Sequence, residues 1–321
     1  MTRPPRDGSG WIGCNLTDES EWVVEFDDDS ITALADHARR RVADPVEHAF
    51  VPSTAMQATL AEMSDALLNG RGFTLLRGLP VDRLDDAERR ILCTTIGELL
   101  GVPIRQNADG DELVRVRDEG KDFAQRGVRS YETAAPLPYH SDSSDVVGLL
   151  CVRAARSGGA STIVSSVALH DAMLDADPRL AALLHEPWPT ASIVAGTVDW
   201  MPICAANGLG QVFTRYGRMY VETAHEYDAS IDPLRPEQID ALDLYDSVLA
   251  DPTFVLDMHF RPGDLQLLNN YRIMHGRAPY TDHAESALRR ELLRIWLVMR
   301  ELELPAVFED SGFVPRSEAL A

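Results

Sequence analysis

Apolar residues recur every three to four positions in three stretches between residues 30 and 101 and bunch into short runs beyond residue 110. "SITALADHARRRV", with Ser30 as the expected N-cap, predicts a helix. "TAMQATLAEMSDALLNGRG" predicts a second helix ending near Gly70. "DDAERRILCTTIGELLG" predicts a third, with acidic residues at its start and Gly101 after its end. Between the last two, "GFTLLRGLP" has the apolar density of a buried strand. Beyond residue 110 come short β-type runs: "ELVRVRD", "VVGLLCVRAA", "ASTIVSSV", "QVFTRYGRMYVET", "TFVLDMHF", "DLQLLNN" and "LLRIWLVM". Two helical insertions, "VALHDAMLDA" and "RPEQIDALDLYDSVLA", interrupt them, and residues 1–30 predict an irregular, acidic lead-in. No internal repeat and no low-complexity linker is evident. Many short strands after a helical start predict an α+β chain, a sandwich or barrel with helices packed outside.

Composition narrows the partners. With 321 residues, 45% of them hydrophobic, the chain is long enough to bury a large core. Its formal net charge of −21 repels phosphate backbones and anionic lipid, so neither nucleic acid nor a membrane is an expected partner. An anionic substrate would need a local basic site. Cys14, Cys93, Cys151 and Cys204 are scattered without C-x-x-C spacing, which fits reduced thiols in a cytoplasmic protein. "MTRPPRDGSGW" has no apolar signal-peptide core, and no apolar run reaches the length of a membrane span.

One stretch carries candidate chemistry. In "PLPYHSDSSDVVGLLCV", His140 and Asp142 lie two apart, and residues i and i+2 of a strand share a face. A surface turn would account for "SDSSD" equally well. A third ligand candidate, His275, lies 133 residues beyond Asp142, close behind the run "DLQLLNN". Two histidines and a carboxylate can occupy one face of an octahedral Fe(II) and leave three positions open. In "ALRRELLRIWLVM", Arg290 and Arg294 are an even interval apart, so a strand would show both on one face. A guanidinium in such an apolar run needs a partner, either a carboxylate ligand or a structural acid.

These residues, taken in order, resemble the Fe(II)/2-oxoglutarate-dependent oxygenases of the taurine dioxygenase and clavaminate synthase-like superfamily. The resemblance rests on "YHSD", "RSGGASTIVSS", "PGDLQLLNNYRIMHGR" and "RRELLRIW", and covers roughly residues 70–300. It implies a double-stranded β-helix, or jelly-roll, core with the helical lead-in and insertions, in a single oxygenase domain over residues 1–321. It implies Fe(II) held by His140, Asp142 and His275, with 2-oxoglutarate and O₂ as cosubstrates. Arg290 matches the residue that pairs with the far carboxylate of 2-oxoglutarate, and Ser161 the hydroxyl donor to it. Thr162 is adjacent and ranks second. Arg294 matches a position that meets an anionic substrate group in some members. The interval from His275 to Arg290 exceeds that of taurine dioxygenase, with "DHAES" as the insertion, so the choice between Arg290 and Arg294 stays open. Asp142 stands where the superfamily's halogenases lack a carboxylate, which argues for oxygenation.

Gln106, Asn107 and Tyr131 precede the H-x-D strand, where related enzymes build substrate contacts. Asn269 or Asn270 is a candidate to orient the site. Tyr139 and Trp296 are expected in the core. His37, His48, His170, His185, His225, His259 and His283 have no partner pattern, apart from a loose acid–histidine pair, Glu222 and His225. The expected activity is oxidation of a small metabolite, an organic acid or amino-acid-like compound, by hydroxylation, desaturation or cyclisation. A homo-oligomer is left open. Two rivals remain: a cupin-like metal protein with non-oxidative chemistry, which has no need of Arg290, and a non-catalytic binding protein on the same scaffold.

Overall fold

Two facing sheets hold the site between them. The computed structural model describes residues 4–44, 46, 49–121, 132–192 and 196–321. The larger sheet has seven strands: β1 (Val23–Glu25), β2 (Phe73–Arg77), β3 (Val102–Ile104), β4 (Leu113–Val116), β6 (Val146–Arg153), β9 (Leu265–Asn269) and β11 (Glu291–Val298). The smaller has four: β5 (Leu137–His140), β7 (Ser161–Ser165), β8 (Leu256–Met258) and β10 (Ile273–Arg277). Spatial order is β1-β2-β9-β6-β11-β3 in the first, with β4 also on β11, and β8-β7-β10-β5 in the second. Only the β1–β2 pairing is parallel among these strands. This is a double-stranded β-helix.

Alternation along the strands sorts the two faces. Leu149, Gln266 and Arg294 form one cross-strand row, and Val147, Leu268 and Trp296 the next. Both rows face the smaller sheet, where Val147, Leu268 and Trp296 meet Ile163, Leu256, Met258 and Ile273. The intervening residues, Leu150, Leu265, Leu267, Leu293 and Ile295, turn outward onto the helices α1 (Asp28–Ala43), α2 (Thr54–Leu68) and α3 (Asp86–Leu100). Each such buried leucine stabilises the fold by roughly 1.5–3 kcal/mol. Gly97 of α3 lies where a Cβ would come within 2.5 Å of Ile295 Cδ1, so its lack of a side chain lets the helix sit close on β11. Two further helices, α4 (Ser166–Ala176) and α5 (Pro236–Leu249), cover the outer face of the smaller sheet through Val164 and Met274.

Several sequence expectations change in detail. The N-cap of α1 is Asp27, whose carboxylate accepts from the Ser30 N–H at 2.8 Å, so Ser30 lies inside the first turn. Helix α2 ends at Leu68 rather than Gly70. "QVFTRYGRMYVET" is not one β-type run: a strand at Val212–Thr214 gives way to a short helix at Arg218–Glu222 after Gly217. The lead-in contains one ordered strand, β1, paired with β2. Arg290 stands one residue before β11, and the register shifts between Glu291 and Leu292. Simple alternation therefore does not relate Arg290 to Arg294.

Candidate metal and cosubstrate site

β5 ends on His140, and β10 lies beside it with His275 as the direct cross-strand partner. The two rings are 4.4 Å apart between centroids. The chain turns immediately after β5, which swings Asp142 between them. Its Oδ1 lies 3.7 Å from His140 Nε2, and its Oδ2 lies 3.8 Å from His275 Nε2. Ligand atoms of all three residues fall within 4.8 Å of one another, the one such group of three among the described residues.

Neighbouring groups hold this arrangement. His140 Nδ1–H donates to the Pro138 carbonyl at 2.9 Å, which leaves the Nε2 lone pair directed at Asp142. Asn270 clamps the turn: its Oδ1 accepts from the Asp142 N–H at 3.2 Å, and its Nδ2 donates to Ser144 O and Oγ. Asn269 instead donates to Leu67 O and accepts from the Tyr271 N–H, outside the site. Trp296 Nε1–H donates to Asp142 Oδ2 at 3.0 Å, and Arg294 NH1 lies 3.6 Å from the same oxygen.

Charge and burial set the protonation states. Burial pushes the Asp142 carboxyl up, but Arg294 and the two imidazoles outweigh it and hold it well below the usual carboxylate range. Burial pushes His275 down to about 3, helped by His140. The site thus offers an ionised carboxylate and a neutral His275, the forms in which these groups bind a metal.

Arg290 is 4% exposed, with its guanidinium 5.0 Å from the Tyr280 ring centroid and, among the described residues, no hydrogen-bond partner for its NH1. Arg277, two residues after His275, lies 5.0 Å from the same ring and donates to the Thr133 and Ala135 carbonyls. Burial, with Arg290 adding, pushes Arg277 down to about 10. Two buried guanidiniums around one ring are suited to an anion. Ser161 is the cross-strand partner of Arg277, so it shares the face of His275, and its hydroxyl donates to Gln266 at 3.0 Å. Thr162 pairs with Gly276 on the opposite face. A solvent cleft of about 400 Å³ reaches Arg290 from outside, lined also by Arg117, Arg153 and Arg289 and by the acids Asp118 and Glu119.

Gln106 reaches the site indirectly. Its Oε1 accepts from Arg294 Nε at 2.7 Å, and its Nε2 donates to the Arg294 and Glu112 carbonyls. Asn107 is not brought to the site: both ends of its amide are engaged with Asp111 in its own turn. Tyr131 and His48 lie outside the described residues. Glu222 pairs with Arg218, and His225 bonds the Glu222 carbonyl, so that acid–histidine pair does not converge. Arg277 went unnoticed in the sequence, although its i+2 relation to His275 on a strand was the available signal.

The comparisons with known proteins bear on the family and the fold. FR-33289 synthase of Streptomyces rubellomurinus is 26% identical over 320 residues, covering 92% of this chain and 91% of that protein. An asparagine oxygenase solved with Fe(II), 3-hydroxyasparagine and succinate superposes with a TM-score of 0.67 at 17% identity, covering 92% and 99% of the two chains. The non-heme iron oxygenase OrfP, solved with Fe and alpha-ketoglutaric acid, gives 0.62 at 16% identity, covering 91% and 99%. The family profile aligns over residues 40–296, a span that includes His140, Asp142, His275, Arg290 and Arg294. The chain belongs to the taurine catabolism dioxygenase TauD, TfdA family.

Proposed function

We propose that this family member, an Fe(II)- and 2-oxoglutarate-dependent oxygenase, holds its iron through His140, Asp142 and His275 in a single oxygenase domain. The observation that carries the reading is the convergence of two imidazole Nε2 atoms on one ionised carboxylate. That donor set fits non-heme Fe(II) with three positions left open. Iron, when bound, supplies the oxygen activation that is coupled to conversion of 2-oxoglutarate to succinate and CO₂.

The chain's own residues supply binding and orientation. Arg290 takes the far carboxylate of 2-oxoglutarate, and its NH1, unpartnered among the described residues, supports that role. Ser161 lies on the face of His275 and is placed to donate to the same group, whereas Thr162 faces away. Arg294 is next to the metal carboxylate rather than at the far end, which supports assigning it to substrate. Gln106 acts through Arg294 by fixing its Nε edge. With Arg294 as the local cation against an acidic background, the substrate is a small organic acid or amino-acid-like metabolite with one anionic group. The asparagine oxygenase, solved with a hydroxylated amino acid, is consistent with that class. Asp142 retains the carboxylate, so the product carries oxygen or a new unsaturation and not halide. Four free thiols support a cytoplasmic location. Among the described residues no helix is long and apolar enough to cross a membrane.

The test is calorimetric titration of 2-oxoglutarate into anaerobic, Fe(II)-loaded protein. Arg290→Gln is expected to weaken 2-oxoglutarate about 100-fold, the loss of a buried charged hydrogen-bonding pair, and to leave iron binding intact. If Arg294→Gln has that effect and Arg290→Gln does not, the two arginines exchange roles.

A further inference from the structure

We propose that Trp296 is a positioning residue for the metal-binding carboxylate: its indole N–H holds Asp142 Oδ2 and so fixes which way the carboxylate turns between the two histidines. This rests on the assignment of His140, Asp142 and His275 as ligands. A carboxylate has two oxygens and about four lone-pair sites, so it can bind an ion through one oxygen or chelate through both. In this chain the two oxygens are not equivalent. Oδ2 accepts from Trp296 Nε1–H at 3.0 Å and lies 3.6 Å from Arg294 NH1. Each oxygen also faces one histidine, Oδ1 His140 at 3.7 Å and Oδ2 His275 at 3.8 Å, but among the described residues only Oδ2 has the indole donor. A donor fixed on Oδ2 occupies a lone pair there and opposes the rotation that would exchange the two oxygens. Chelation would consume a coordination position, leaving two where the cosubstrate and O₂ together need three.

Trp296 is itself held by two neighbours. Arg294 lies over its ring at 4.9 Å, and Phe313 meets it edge-on at 6.4 Å. Arg294 is in turn fixed by Gln106, whose amide is tied to the Arg294 and Glu112 carbonyls. Gln106, Arg294, Trp296 and Asp142 thus form one connected series that ends on the metal ligand. Metal ligands commonly depend on such outer contacts for orientation, and their loss costs 10–100-fold in affinity. A buried tryptophan also needs an acceptor for its own N–H, so packing alone is the competing account.

Trp296→Phe separates the two, because it keeps an aromatic ring and deletes the donor. Metal-free protein is titrated anaerobically with Co(II), whose visible bands report both affinity and coordination number. The expected result is about tenfold weaker Co(II) binding and a changed band intensity, with the melting temperature of the metal-free protein little altered. Co(II) affinity within twofold of the unaltered protein would overturn the proposal, as would a lowered melting temperature with unchanged affinity. If the Phe variant does not fold, site-specific replacement of Trp296 by its benzothiophene isostere, which keeps the fused ring without the N–H, is judged by the same criteria. Failure of the unaltered protein to bind Co(II) would instead refute the ligand assignment itself.

Discussion

The rings of His140 and His275 lie 4.4 Å apart, and those of His170 and His185 lie 5.1 Å apart. In the first pair both Nε2 atoms face Asp142, at 3.7 and 3.8 Å. In the second the Nε2 atoms meet each other at 2.9 Å, one donating to the other. The nearby acid, Asp171, is 3.7 Å from His170 Nδ1, on the other edge of the ring. Burial acts in both pairs, pushing His275 of the first down to about 3 and His170 and His185 of the second to about 4. Burial and proximity therefore do not make a metal site. The first pair leaves lone pairs free and converging beside a carboxylate, while the second spends them internally.

The largest expected effect breaks the first pair. His275→Ala or His140→Ala should abolish binding of about one Fe(II) per chain, measured by anaerobic equilibrium dialysis, whereas His170→Ala should leave the stoichiometry unchanged. Full occupancy in both site variants would remove the distinction between the pairs.

A smaller effect sharpens the second pair through acid stability. An unfolded chain protonates its histidines near pH 6.5, the ordinary value, while burial depresses His170 and His185 in the folded chain. Their contribution to stability is present above pH 6.5 and is lost as pH falls toward 4. His185→Gln keeps a neutral donor for His170 and removes one titrating group. Denaturant unfolding from pH 7 to pH 4 should show an acid limb shallower by roughly 1–3 kcal/mol. An unchanged limb would mean that the acid sensitivity arises elsewhere.

The smallest effect concerns the clamp on the turn. Asn270→Ala removes the acceptor for the Asp142 N–H and the donor to Ser144 and should weaken Fe(II) severalfold in the same dialysis. Asn269→Ala, which lacks any bond to that turn, should change stability and not the metal affinity.

The strands were legible because apolar runs such as "LLRIWLVM" and "VVGLLCVRAA" bury both faces, one under helices and one between the sheets. The triad was legible because His140 and Asp142 are local and His275 follows a strand. What escaped depends on contacts between distant segments. Gln106 looked like a substrate contact, yet its amide is tied to Arg294, 188 residues away. Trp296 looked like plain core because apolar patterning carries no information about where an indole N–H points. Ser30 and Asp27 are both good caps, and only the backbone angle of Asp27 decides between them. "QVFTRYGRMYVET" misled because Val, Phe, Thr and Tyr favour strands, while the break at Gly217 is set by the tertiary fold.

β11 comes after all of its partner strands in sequence, yet it is interior to the larger sheet, with β6 on one edge and β3 and β4 on the other. A ribosome delivers it only after every neighbour has emerged. Until then β6 lacks the partner on one side, and β3 and β4 have no strand to join. Arg294 and Trp296 arrive with this strand, 19 and 21 residues after His275 on β10. Assembly of the pocket thus waits for residues 291–298, when long-range pairing closes both sheets around it. A nascent chain halted before residue 291 would carry all three metal-site residues without the strand that brings Arg294 and Trp296 against their carboxylate.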